Sequence, residues 1–245
     1  MNVAIPLATS VVSSLFAMTV LDQHLERKRP YQLVWTAGLV LYSVASLLHT
    51  LWAMGITGPL VFRLWYLTGA MLVAAYLGMG SLYLHVPQRV AHVVLAILLL
   101  LTAASATLAL GVSLQANVAL LEGKNLASVV PGTESLRYYP AYVGILTAIL
   151  NVLGSLVLLG SAVYSAIVFA RRRAAGYRVV SNVLIASGAF ISAAGGTLER
   201  FDVPQPHTMA LLLGVVVIYL GFLRSREVFT AYRVPFRRSI KEARS

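Results

Sequence analysis

The chain has 245 residues, of which 59% are hydrophobic and 11% charged; it carries a formal net charge of +11 and has no cysteine. Soluble domains carry about 25% charged residues, and a soluble surface this apolar would expose large aggregating patches, so an ordinary soluble protein is excluded. The missing cysteines exclude disulfides, thiolate chemistry and Cys-ligated metals. Charge-free stretches run over 1–21, 30–62, 64–88, 90–121, 138–170, 179–198 and 203–223. Each is long enough for a spanning helix, which needs roughly 20 apolar residues. The expected fold is an all-α, polytopic membrane bundle of seven transmembrane helices over 1–223, followed by a basic cytoplasmic tail over 224–245.

The first predicted helix covers residues 3–21. It reads as a retained span and not as a cleaved signal, because no Lys or Arg precedes Arg27. Arg27-Lys28-Arg29-Pro30 forms the next turn, with Pro30 suited to a helix start. Helix 2 is expected over 31–54. Gly55, Gly58 and Pro59 then break the chain. Helix 3 is expected over 61–84, and Pro87 lies in the turn after it. Helix 4 is expected over 90–111. Residues 112–138 form the one long loop, whose first part could continue helix 4 or lie along the membrane interface. Helix 5 is expected over 139–170, long enough that it must tilt or project. Arg171-Arg172-Arg173 turns the chain into helix 6, over 177–198. Pro204 and Pro206 precede helix 7, over 207–223.

Orientation follows from the basic residues. With the N-terminus outside, fifteen Lys and Arg fall on cytoplasmic segments, and only Arg63, Lys124, Arg137 and Arg200 fall outside. This positive-inside bias predicts an N-out, C-in protein of the bacterial inner membrane. The positive charge is then topological and faces anionic lipid headgroups. A nucleic-acid partner would need a folded basic domain with aromatic platforms, which the short tail does not supply.

Polar residues at membrane depth mark candidate sites, because they are costly in hydrocarbon. His49, Trp52, Arg63, Tyr66, Glu199 and Arg200 fall within a turn or two of the outer interface. They read either as interfacial anchors or as an outward pocket closed by an Arg63–Glu199 ion pair. Asn151 and Asn182 are deep amides, either helix-to-helix glue or ligand contacts. In helix 6, Gly188, Ser192 and Gly196 recur at intervals of four. Such a small-residue face permits close backbone packing, or leaves room for a flat or lipidic ligand.

Catalytic readings find little support. The three lysines, Lys28, Lys124 and Lys241, lie outside the spans, which removes a retinal Schiff base. A His-Glu-x-x-His zinc motif is absent. His49 and His92 lie at opposite depths and cannot share a haem iron, whereas His49 and His207 lie at matching depth and could. No catalytic residue, metal or cofactor is expected.

Two repeats of plan are visible. Tyr31 and Tyr177 each open a helix after a basic turn, and Tyr76-Leu77-Gly78 and Tyr219-Leu220-Gly221 each lie in the following helix. These matches suggest a parallel triple-helix repeat, helices 1–3 and 5–7 around linker helix 4, although the Tyr-to-Tyr spacings of 45 and 42 residues differ by three. That plan is similar to the SWEET sugar transporters and the PnuC-type vitamin transporters. The strings Phe62-Arg63-Leu64-Trp65-Tyr66-Leu67-Thr68-Gly69-Ala70, Leu77-Gly78-Met79-Gly80-Ser81-Leu82-Tyr83-Leu84 and Ala194-Gly195-Gly196-Thr197-Leu198-Glu199-Arg200-Phe201 resemble a family of bacterial seven-helix integral membrane proteins. That resemblance implies topology and no activity. The chain more loosely resembles the seven-helix sensor regions that precede bacterial signalling kinases, although no kinase domain follows the last helix.

Three functions fit these observations. The first is binding or transport of a small molecule or lipid through a pocket among the helices. The second is a receptor-like sensor that signals to a cytoplasmic partner through the basic tail. The third is a non-catalytic assembly subunit packed by its small-residue faces, homo-oligomer included.

Overall fold

The computed structural model describes residues 3–112, 139–171, 176–198 and 206–224, and the fold over them is all-helical, with no strand. Seven helices are described: α1 (Ala4–Arg27), α2 (Pro30–Ala53), α3 (Pro59–Leu82), α4 (Gln88–Gly111), α5 (Ala141–Arg171), α6 (Gly176–Leu198) and α7 (Pro206–Leu223). Helices α1 to α5 are each long and apolar enough to cross a membrane, and α6 and α7 carry the shorter apolar stretches Val179–Gly195 and His207–Leu223. The long loop, the Arg172-Arg173 turn residues, Glu199, Arg200 and the basic tail lie outside the described residues.

The ends of these helices follow from local chemistry. Helix α1 runs past the expected end at Leu21 to Arg27, because Asp22 to Arg27 includes no helix breaker. His24 and Arg27 occupy its last turn, where positive charge suits the exposed carbonyls. Lys28 then takes a left-handed conformation (φ 52°), and its N–H donates to the His24 carbonyl at 2.7 Å. Arg29 is extended, as a residue before proline prefers, and Pro30 starts α2. Helix α2 closes in a Schellman motif: Ile56 N–H donates to the Leu51 carbonyl and Gly55 N–H to that of Trp52, both at 3.0 Å. Gly55 holds φ +88°, which a side chain would strain.

Helix α3 widens into a π-helical segment over Tyr66–Leu72 before resuming as an α-helix at Val73. Such segments are rare and recur near functional positions.

Neighbouring helices pair in a closed order. α1 packs on α2, α2 on α3, α3 on α5, α5 on α6, α6 on α7, and α7 returns to α1. Six helices thus form a ring, while α4 sits outside it, against α3 and α5. α4 is also the least buried of the five long helices, with Leu100 72% exposed. Side-chain pairs fix the directions. Ser10 meets Ser43 and Gln23 meets Gln32, so α1 and α2 are antiparallel. Tyr66 meets Thr147 and Asn151 meets Ala70, so α3 and α5 are parallel. α7 runs antiparallel to α6, where Gly188 faces Gly214 and Ser181 faces Gly221.

Glycines set two of these crossings. A Cβ placed on Gly78 would overlap the backbone of Gly154, and one on Gly154 would overlap the Ala74 carbonyl. Helices α3 and α5 therefore touch backbone to backbone. At the α6–α7 crossing, a Cβ on Gly188 would come within 2.6 Å of the Gly214 carbonyl oxygen, and one on Gly214 would overlap the Ser192 hydroxyl. The Gly188–Ser192 face thus packs against α7.

Candidate functional site

The ring holds a partly open apolar cavity to which every one of its six helices contributes: Phe16 of α1, Leu39 of α2, Leu77 of α3, Leu158 of α5, Ile185 of α6 and Val215 of α7. Its volume is about 40 Å³. A single water needs roughly 10–15 Å³ on a comparable measure, so the ring in this state has room for a few atoms, and a seam between helices must part before it can take a ligand or a lipid chain. Trp35 forms part of the wall. Its indole N–H faces the Leu77 carbonyl at 3.1 Å and the Ser81 hydroxyl at 3.3 Å. The indole lies where a side chain on residue 80 would be, so Gly80 makes its seat.

Tyr42 closes the cavity towards the end of the bundle that holds the N-terminus of α1. Its hydroxyl reaches from α2 across to α7 and donates to the Leu211 carbonyl at 2.9 Å, with Ser192 of α6 beside it. Beyond Tyr42 the interior changes character. Ser46, His49 and Thr50 of α2, Thr208 of α7 and Thr9, Ser10 and Ser13 of α1 are all buried. The hydroxyls of Thr9, Ser13 and Thr50 donate to carbonyls of their own helices. Ser10, Ser14 and Ser43 bond one another across α1 and α2. The His207 Nδ1 atom is buried with no hydrogen-bond partner. None of the buried polar side chains among the described residues is Asp, Glu, Lys or Arg. The ring interior therefore passes from an apolar stretch to a polar but uncharged one at Tyr42, while the opposite end buries the polar groups of Gln32, Thr36 and Ser181.

The residues singled out from sequence fall into two places. His49 is buried in the polar stretch beyond Tyr42. Trp52 and Tyr66 are buried, at 1% and 0% exposure, and Tyr66 bonds Thr147 at 3.0 Å. Arg63 donates to the carbonyls of Ala109 (3.2 Å) and Leu110, where it caps the free end of α4. Asn151 donates to the Ala70 carbonyl, inside the π segment, at 2.9 Å. Asn182 is half-buried in α6. Glu199 and Arg200 lie outside the described residues, and with them the expected Arg63–Glu199 pair. None of the eight lines the apolar cavity. Arg63 and Tyr66 belong instead to an aromatic cluster: Tyr139 stacks on Phe62 at 6.0 Å and lies 4.7 Å from Tyr66, and its hydroxyl donates to the Ala109 carbonyl at 2.9 Å.

No family model, no curated protein and no solved structure matches the chain. The geometry of the ring is therefore what a functional reading has to stand on.

Tyr42, Phe16 and Phe222 escaped the sequence reading. Tyr42 had a signal: it is a lone hydroxyl in the middle of an apolar helix, and such a group must find a partner. The two phenylalanines had none, since an aromatic in a span is ordinary.

Proposed function

We propose that the chain is a seven-helix integral protein of the bacterial cytoplasmic membrane, N-terminus outside and C-terminus inside, that binds an apolar small molecule or lipid chain within its helix ring. The convergence of all six ring helices on one apolar cavity carries this reading. The positive-inside distribution of Lys and Arg supports the orientation. The position of α4 outside the ring, with α1–α3 and α5–α7 as consecutive arcs, supports the two-triplet plan. Binding is favoured over passage of a polar solute, because the apolar stretch offers such a solute nothing to bond.

Native mass spectrometry of the protein in a mild detergent tests the proposal. A bound apolar molecule is expected, and enlarging Val215 to Phe is expected to expel it. An adduct that survives Val215→Phe overturns the cavity as its site.

One observation favours a second reading. The cavity is small, and a filled bundle suits a non-catalytic assembly subunit. In that case no ligand co-purifies, and Ser192→Leu abolishes a partner complex.

A further inference from the structure

We infer that the ligand of this ring is an uncharged lipid with a hydrogen-bonding head, a long-chain alcohol being the simplest member, its head at His207 and its chain in the apolar cavity. The inference rests on the cavity reading above and adds the chemistry of the head.

Three features align along α7. Leu211 carries the carbonyl that accepts from Tyr42. His207 lies four residues before it and Val215, on the cavity wall, four residues after it. Four residues make about one helical turn, or roughly 6 Å of rise. A polar atom, a polar gate and an apolar cavity thus follow one another down a single helix face, in the order of an amphiphile's head, neck and chain.

The head position has an unmet requirement. His207 Nδ1 is buried and bonded to nothing, and a buried polar atom in that state is destabilising until it gains a partner. A hydroxyl can donate or accept, so it satisfies either tautomer of the ring. It can also replace the Leu211 carbonyl as acceptor for Tyr42. A charged head fits poorly. Burial of a carboxylate or phosphate needs a paired charge, and among the described residues no Lys or Arg is buried; the nearby buried base is the imidazole of His49.

Entry has one economical route. α1 and α7 touch less than any other neighbours in the ring. Their seam is closed by Phe16 against Tyr219 at 4.8 Å and Phe222 at 5.1 Å, with the Thr19 and Tyr219 hydroxyls 3.0 Å apart. Phe16 and Phe222 also line the cavity. Parting this seam opens the cavity sideways and loses less packing than parting any other.

The test uses the full chain in lipid nanodiscs and three probes that carry the same mid-chain diazirine: hexadecanol, hexadecanoate and hexadecane. Photolabelling is read by peptide mass spectrometry at Phe16, Val215 and Phe222. The alcohol is expected to label these positions about five-fold more than the carboxylate or the alkane, the worth of one net hydrogen bond. His207→Leu is expected to reduce the alcohol to the alkane's level, and His207→Asn, which keeps a polar atom near Nδ1, to restore it. Tyr42→Phe provides a second variant and is expected to weaken labelling by the alcohol alone. If the carboxylate labels as well as the alcohol, or both head variants leave the alcohol unchanged, this inference falls while the cavity reading stands. If no probe labels the cavity, both fall.

Discussion

The two sides of this bundle differ in how fully they are packed. Where α3, α4 and α5 meet, aromatic rings fill the space and polar atoms cross from helix to helix to specific partners: Tyr66 to Thr147, Tyr76 to Thr102, Tyr139 to Ala109, Asn151 to Ala70. Gly78 and Gly154 bring two backbones into contact there. Where α1, α2 and α7 meet, hydrogen bonds also cross between helices, from Ser14 to Ser43, Thr19 to Tyr219 and Tyr42 to Leu211, but this side borders the cavity; unbonded buried atoms occur on both sides, at His207 here and at Tyr83 and Ser105 there. Dense interiors have no spare volume and resist change in size. The first side thus behaves as scaffold, and the second has the looseness that a binding region needs.

The sharpest break of this contrast is at the α3–α5 crossing. Gly154→Ala places a methyl group against the Ala74 carbonyl; it is expected to destabilise the protein by about 1–3 kcal/mol, read as a lower midpoint in thermal unfolding in detergent. Gly160, in the same helix, has open space where a Cβ would sit, with no neighbouring atom within 4 Å. Gly160→Ala is therefore expected to gain up to about 1 kcal/mol from helix propensity, and a loss at both sites would show that the crossing is not special. Next comes Tyr42→Phe, which removes the one bond from α2 to the Leu211 carbonyl. A loss of about 1 kcal/mol is expected, together with faster hydrogen exchange in α7; unchanged exchange would deny the gate.

Asn151→Ala is milder, because measured side-chain hydrogen bonds in membrane helices average about 0.6 kcal/mol. A steric-trapping measurement can resolve it, and an effect confined to the α3–α5 side would support the glue role. The smallest effect is expected from filling the void. Val215→Ile adds one methylene beside the cavity and is expected to gain a few tenths of a kcal/mol through dispersion contacts. A larger step on the other side, Ala75→Val, adds two carbons at a position only 8% exposed beside the glycine crossing. It is expected to destabilise instead, and equal signs for the two substitutions would erase the distinction between the sides.

Much of the helix pattern was legible because its signals are local. Pro30, Gly55 with Pro59, and Pro87 each stop or start a helix through their own backbone preferences, and charge-free runs mark the apolar lengths between them. The end of α1 was placed too early, since charge ends an apolar run but does not end a helix; the chain stays helical to Arg27. The site was far less legible. Arg63 reads from the sequence as an interfacial anchor or as one half of an ion pair with Glu199, which lies outside the described residues; that its guanidinium caps α4 was not legible, because the ends of a helix offer carbonyls that no sequence period reveals. Asn151 was visible as a costly amide, but its acceptor belongs to the π segment of α3, which the sequence did not announce.

Composition and helix breakers were enough to imply an all-helical chain of long apolar segments, because they act residue by residue. Packing was needed to show that six helices close a ring with α4 outside, that Gly78 meets Gly154, and that Tyr42 lies where the interior turns from apolar to polar. Those outcomes depend on which helix faces meet. Side chains of similar polarity are interchangeable to hydropathy, and only close packing tells them apart by shape.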